Sequence, residues 1–275
     1  MVPAPPGRGL AEMAPVSAGL GGACTTRRHL GSSSTWAWVG RLCDGCVMGS
    51  YLQYLSANAT ELIFYAEQHF LLVLYSVALA SVISLVLALV LHTNELTPPS
   101  WRRSLQVGSR ETALLLASAA LTIPSLALFG MLQPLLGLGV TPSIVALTLY
   151  AIYPVLRNTL AGLSSVDPAV LEVARGVGMG PVRRTLRVQL PLAWPVIISG
   201  IRVAVLIIIS IAVVAAIIDG PGFGKPLQDG LARLGAVNSF NEVITGTLGC
   251  LVVAAGYEII FAVIRRLTTP RGIRV

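Results

Sequence analysis

Five runs of nearly unbroken apolar residues dominate the chain from residue 70 onward, with polar segments between them. They cover about 70–91, 112–136, 142–163, 195–218 and 242–264. None alternates with the two-residue period of a half-buried strand, and none carries the polar face of a surface helix. At roughly 20 to 25 residues each, they are long enough to cross a hydrocarbon core of about 30 Å as helices. Pro124 and Pro134 in the second run and Pro154 in the third predict kinked spans, since proline removes a helix hydrogen bond. Residues 48–69 are only mildly amphipathic, with Tyr51, Tyr54 and Tyr65 placed for headgroup depth, and predict an interfacial lead-in to the first span.

Composition makes the membrane reading firm. Of 275 residues, 55% are hydrophobic and 11% charged, too few charges to cover a water-exposed surface. The expected fold class is therefore all-α integral membrane. The net charge of +7 is almost wholly arginine, Lys225 being the only lysine. These arginines sit in the gaps between apolar runs, so the positive-inside rule explains them and nucleic-acid binding has no support. Basic residues mark the segment after the first run (Arg102, Arg103, Arg110), the stretch 167–191 and the C-terminal tail 268–275 with its approach. The link 137–141 carries no charge and 219–242 is mixed. Five spans with the N-terminus outside put each basic segment in the cytoplasm.

Residues 1–47 are rich in Pro, Gly, Ala and Ser without sustained period, and predict disorder. Arg8, Arg27, Arg28 and Arg41 invite a targeting reading, but a secretory signal needs an apolar stretch that is missing here. The reading favoured is an upstream start, with initiation near Met48. Cys43 and Cys46 form a CxxC with no second pair and no histidine at ligand spacing, which predicts neither a redox nor a metal site.

Catalytic chemistry is hard to build from this sequence. His29, His69 and His92 are scattered, and neither a phosphate-binding loop nor a metalloprotease or serine-hydrolase motif is present. Any energy the chain uses must come from a partner or an ion gradient. Gly220-Pro221-Gly222-Phe223-Gly224 predicts a tight turn at the membrane surface. Arg157 falls within a span, where a charge normally meets a partner or a wet cavity. With Tyr153, Asn158 and, at a span end, Asp219, it makes the set of possible pathway residues. The alternative for Arg157 is to snorkel to the cytoplasmic interface, Arg202 has the same two readings, and Glu258 is the acidic residue that falls clearly within a span. Gln133, Tyr150 and Tyr257 are expected to pack between helices.

The polar interruption Asp167–Pro191 is the most informative stretch. Asp167 suits an N-cap, Pro168 a first helical turn, and Gly176, Gly178 and Gly180-Pro181 a stop. A second piece, Val182–Leu190, carries Arg183, Arg184 and Arg187 and ends at Pro191. Two short helices joined by a glycine-rich turn are expected. The spacing Glu172-Val173-Ala174, three residues, Gly178, nine residues, Val188-Gln189-Leu190-Pro191 resembles the E-A-A–x3–G–x9–I-x-L-P signature of ABC importer permeases. Val173 stands for the first alanine and Val188 for the isoleucine.

That resemblance implies the five-span type I importer fold with a cytoplasmic coupling helix that docks in a separate ATPase. Glu172, Val173, Ala174, Arg175, Gly178, Leu190 and Pro191 would be its coupling residues. It also implies a bacterial cytoplasmic membrane, a second permease subunit, identical or related, and an extracytoplasmic binding protein. ATP and magnesium would be bound by the ATPase dimer, with no cofactor in this chain. Thr122–Leu128, Leu138-Gly139, Pro154–Thr159 and the turn 218–224 resemble, more narrowly, permeases of osmoprotectant importers, which carry glycine betaine, carnitine, choline or similar solutes. A permease for an amino acid or alkyl sulfonate is the alternative cargo. A gradient-driven secondary transporter is the alternative mechanism.

Overall fold

The computed structural model describes residues 46–96, 103–236 and 238–268, with side chains over 51–92, 109–236 and 238–268. The expectations for residues 1–45, for Arg102 and for residues 269–275 fall outside these ranges, as do the side chains of Cys46 and Arg103. Residues Met48–Val275 form one compact unit. Its described elements are helical: α1 (Cys46–Ala57), α2 (Ala59–Leu96), α3 (Arg103–Thr122), α4 (Ser125–Leu136), α5 (Val140–Ser164), α6 (Pro168–Gly176), α7 (Pro181–Arg184), α8 (Leu190–Val214), α9 (Gly224–Ala232) and α10 (Ser239–Thr268). A π-turn, Thr185–Gln189, joins α7 to α8, and a 3₁₀ turn, Ala215–Ile218, extends α8.

Four stretches, 59–92, 140–164, 181–218 and 239–268, are long and apolar enough to cross a bilayer alone. The second predicted run is instead a broken pair, Ser109–Thr122 and Ser125–Leu136, bent by 95°, which makes a fifth span when counted as one. Proline is the cause. Pro124 has no N–H to continue α3 and forces Ile123 out of the helical region. The freed carbonyl of Ile123 accepts the Tyr150 hydroxyl at 2.7 Å, so the break is hydrogen-bonded to α5. Tyr150 is thus the packing contact expected of it, with a defined task.

Two predicted boundaries move. The first span begins at Ala59, not at 70, because no glycine or proline between 59 and 70 interrupts the helix. Tyr65 Oη donates to Glu61 at 2.8 Å one turn back, on the part of α2 that the lead-in was expected to form. The fourth span is likewise continuous with the segment before it, from Pro181 to Ile218, and Pro191 does not end a helix. In a regular helix the Pro191 ring would clash with the carbonyl four residues back. The π-turn widens the backbone there, Leu190 N–H reaching Thr185 O, and the helix passes through.

α5 is the hub, packed against α2 and α8 along its length and against α3 and α4. Of its apolar window 56% is buried, against 17% for α10, which leaves most of its surface to lipid or another chain. Small residues set the α5–α8 approach. Gly162 faces Ala193 and Val196, and a Cβ on Gly200 would overlap the side chain of Asn158. In lipid, such close backbone contact supplies the packing that the hydrophobic effect cannot.

The turn at 220–224 is tight, as predicted, yet it is pressed into the helices, not bare at a surface. Gly220, Gly222 and Phe223 are buried, and a Cβ on Gly222 (φ +110°) would lie 2.7 Å from His69 Nδ1. His69 is fully buried beside it, 6.1 Å between ring centres from Phe223. The mixed segment 219–242 holds α9, which packs on α10.

Candidate functional site

The hairpin α6–turn–α7 is built from local rules. Asp167 caps α6, its carboxylate accepting the Ala169 N–H at 2.8 Å, and Pro168 fills the first turn. The helix closes on Gly178, whose φ of +81° lies in the left-handed region. Gly178 N–H bonds Arg175 O at 2.9 Å and Met179 N–H bonds Ala174 O at 3.1 Å. These two bonds are the Schellman closure, which explains why a glycine stands four residues after Ala174.

One face of α6 turns inward through Ala174, only 6% exposed. The other presents apolar side chains to solvent. Val170, Val173 and Val177 share a face at i, i+3 and i+7, with Val173 68% and Val177 74% exposed. Val182 on α7 is exposed as well, as are Arg175, Arg183 and Arg187 on the same hairpin. Glu172 is exposed beside them, Leu190 is half-buried, and Pro191 is exposed at the start of α8. An exposed apolar stripe on a charged hairpin is the kind of surface that marks an interaction site.

Beneath the hairpin the contacts are buried and polar. Thr185 Oγ1 donates to Gln189 Oε1 at 2.8 Å, across the π-turn. His92, near the end of α2, places Nε2 3.0 Å from the same oxygen. Arg184 is 5% exposed, and its Nε has no hydrogen-bond partner among the described residues. None of these four polar residues had a contact legible in the sequence, since a lone histidine or glutamine carries no signal of its partner.

The predicted pathway residues do not form one cluster. Arg157 Nη1 donates to Tyr153 Oη at 3.1 Å, and its guanidinium lies 5.9 Å from the centre of that ring. Asn158 is spent on packing, its Nδ2 bonded to Pro154 O at 2.8 Å and its side chain set against Gly200. Asp219 sits after the 3₁₀ turn with φ +57°, its carbonyl beside Gly139 at the start of α5. Arg157 is roughly 25 Å further along α5 at 1.5 Å per residue. The structure adds a pairing the sequence left unmade: Arg202 on α8 and Glu258 on α10 bond at 2.6 and 2.8 Å. They line a half-open cavity of about 210 Å³ with Ser199, Phe261 and Arg265.

A helical bundle with one span broken at a proline and an apolar-faced hairpin between two others fits a membrane transport subunit. Comparison with known proteins agrees. Residues 109–271 match the family model of the binding-protein-dependent transport system inner membrane component. The chain belongs to that family. Among curated relatives it is 33% identical over 229 residues to the choline transport system permease protein OpuBB of Bacillus subtilis, covering 82% of this chain and 97% of that one. It is 33% identical over 228 residues to the osmoprotectant import permease protein OsmW of Salmonella typhimurium, covering 81% and 99%. The fold matches a chain of the inward-facing MetNI methionine ABC transporter with a TM-score of 0.65 at 17% identity, over 76% of this chain and 96% of that one. The chain is thus a non-enzymatic membrane component of a transport system that uses a binding protein, with the type I importer permease fold.

Proposed function

We propose that this chain is the permease subunit of an ATP-driven importer of small osmoprotectants, such as glycine betaine, carnitine or choline. Counting α3–α4 as one broken span gives five spans, with the N-terminus outside and the α6–α7 hairpin in the cytoplasm. Two permease subunits, identical or related, enclose the pathway. The hairpin of each docks in one subunit of an ATPase dimer, which binds ATP and magnesium. An extracytoplasmic binding protein delivers the solute. Closure of the ATPase dimer moves the hairpins, and the continuous helix from Pro181 to Ile218 carries that movement into the membrane.

The observation that carries the docking role is the valine stripe of α6, exposed on one side and fixed in direction by Asp167 and Gly178. The cargo class is supported by the substrates in the names of the relatives, which match this chain over about four-fifths of its length.

The test is a proteoliposome assay containing this permease with its ATPase and binding protein, following radiolabelled glycine betaine uptake and ATP hydrolysis. Uptake that requires ATP and is lost in Gly178→Asp supports the reading. Uptake that persists without the ATPase overturns it in favour of a gradient-driven carrier. Coupled ATP turnover without movement of betaine or choline rejects the cargo and keeps the mechanism.

A further inference from the structure

Two stripes face each other across the cavity between α8 and α10. Pro195, Ile198, Ser199 and Arg202 recur at i, i+3, i+4 and i+7 along one helix. Glu258, Phe261, Ala262 and Arg265 repeat the same spacing on the other, running in the opposite sense. Arg202 therefore meets Glu258, and Pro195 lies toward Arg265. In the topology proposed above, Arg202 is roughly 10 Å above Pro195, where the apolar run 195–218 begins, and Glu258 roughly 9 Å above Ile264, where the run 242–264 ends, at 1.5 Å per helical residue. Both charges thus fall within the inner half of the bilayer.

The ion pair is not shielded by the chain itself, the Arg202 and Glu258 side chains being 48% and 34% exposed. Charges at that depth face a wet cavity or another chain, not hydrocarbon. The face of α8 and α10 that bears them is therefore turned to a wet cavity or to another chain, not to lipid. Arg265 adds a second cation at the cytoplasmic end of the groove, and among the described residues no carboxylate pairs with it. Along α10 the groove thus presents an anion, an aromatic ring and a cation. Glu258 and Arg265 are separated by about 10.5 Å of helical rise.

We propose that this groove is a low-affinity station for a zwitterionic quaternary ammonium solute. The inference rests on the cargo class proposed above and adds where and how this chain holds it. The methylated cation lies against Glu258 and the Phe261 ring, and the solute's carboxylate reaches Arg265. A quaternary ammonium has no N–H to donate, so it needs negative charge and a ring face but no free lone pair. Glu258 can serve it without releasing Arg202. The 10.5 Å rise accommodates a contact at each end and a solute whose charges are a few bonds apart. Arg202 offsets much of Glu258's charge, which keeps the station weak, as a pathway site must be to release what it accepts.

The experiment uses the permease–ATPase complex without binding protein, in nanodiscs of uncharged lipid, with glycine betaine and choline binding followed by saturation-transfer NMR. Arg265→Gln is the principal variant, because removing this cation orphans no carboxylate among the described residues. Glycine betaine is expected to bind wild type saturably and about tenfold more weakly to Arg265→Gln, the worth of one charge-assisted contact. Choline, which has no carboxylate, is expected to bind both alike. Phe261→Leu is expected to weaken both ligands. Absence of saturable binding to wild type, or equal loss of both ligands in Arg265→Gln, overturns the proposal. Loss of betaine binding when phosphatidylglycerol is added to the disc also overturns it, and assigns the groove to lipid phosphate. Failure here alongside ATP-driven betaine uptake by the complete system rejects the station alone. Failure of uptake as well rejects the cargo.

Discussion

His92 Nε2 lies 3.0 Å from Gln189 Oε1, tying the end of α2 to the π-turn that supports the hairpin. The same oxygen accepts from Thr185 at 2.8 Å. One buried amide therefore holds three segments together: α2, the turn and the root of α8. In the mechanism proposed above, this amide is the contact by which movement of the hairpin would reach α2.

Gln189→Leu keeps the size of the side chain and removes the acceptor. His92 and Thr185 are then left as buried donors, at a cost of about 1–3 kcal/mol each where they find no substitute. We expect a folded, ATPase-binding permease with a lower melting temperature. Uptake should fall more than ATP hydrolysis, so that more ATP is spent per solute moved. Parallel measurement of both rates in proteoliposomes checks this. An unchanged ratio would mean that the contact is structural only.

Gly178 tests the closure of α6. Its φ of +81° disfavours any L side chain, while a Cβ there would meet nothing within 4 Å. Backbone strain is then the whole effect of a small substitution. Gly178→Ala should weaken ATPase association through about 1 kcal/mol of strain, and Gly178→Asn less, because asparagine visits the left-handed region more readily. Titration of the ATPase onto permease in nanodiscs gives the order Gly, Asn, Ala. The reverse order would show that side-chain bulk governs the site.

Much of this architecture was legible because lipid imposes simple demands on a chain. Apolar length marked the spans, and Asp167, Pro168 and Gly178 marked the hairpin, since caps and left-handed turns follow from one or two residues. The 95° break at Ile123 was less legible. Pro124 announced a kink, but the hydroxyl that bonds the break at Ile123 comes from Tyr150, 27 positions along the chain. The run from Pro181 into α8 misled for a related reason. Pro191 reads as a stop, whereas a π-turn whose polar side chain bonds to His92 lets the helix continue. Arg202 and Glu258 were visible singly as membrane charges, but only the antiparallel contact of α8 with α10 pairs them.

Gly200 carries the α5–α8 seam. A Cβ there would overlap Asn158 and lie 3.1 Å from the carbonyl of Pro154, at a point where neither backbone can withdraw without opening the seam. Gly200→Ala should cost about 1–3 kcal/mol, as overpacking of a tight core does. The same change at Gly256, whose Cβ would meet nothing within 4 Å, serves as the control and should be neutral or slightly stabilising. Thermal unfolding of the purified permease distinguishes them. Equal loss at both positions would mean that the seam is looser than the distances imply.

The valine stripe gives the sharpest separation of stability from partnership. Val173 and Val177 are 68% and 74% exposed, so exchanging them for aspartate removes little packing and should shift stability by about 0.5 kcal/mol or less. A docked ATPase groove would instead receive two desolvated carboxylates where it held methyl groups. Each should cost about 1.4 kcal/mol or more, a tenfold loss of affinity per substitution. Ala174→Asp is the counterpart, since Ala174 is 6% exposed and faces inward. It should lower the melting temperature of the permease before any partner is added. Measuring melting and ATPase affinity on the three variants separates the two faces of α6. Val173→Asp that melts early, or that binds ATPase as wild type does, would place the docking surface elsewhere on the hairpin, with exposed Val182 and the hairpin's exposed arginines the next residues to test.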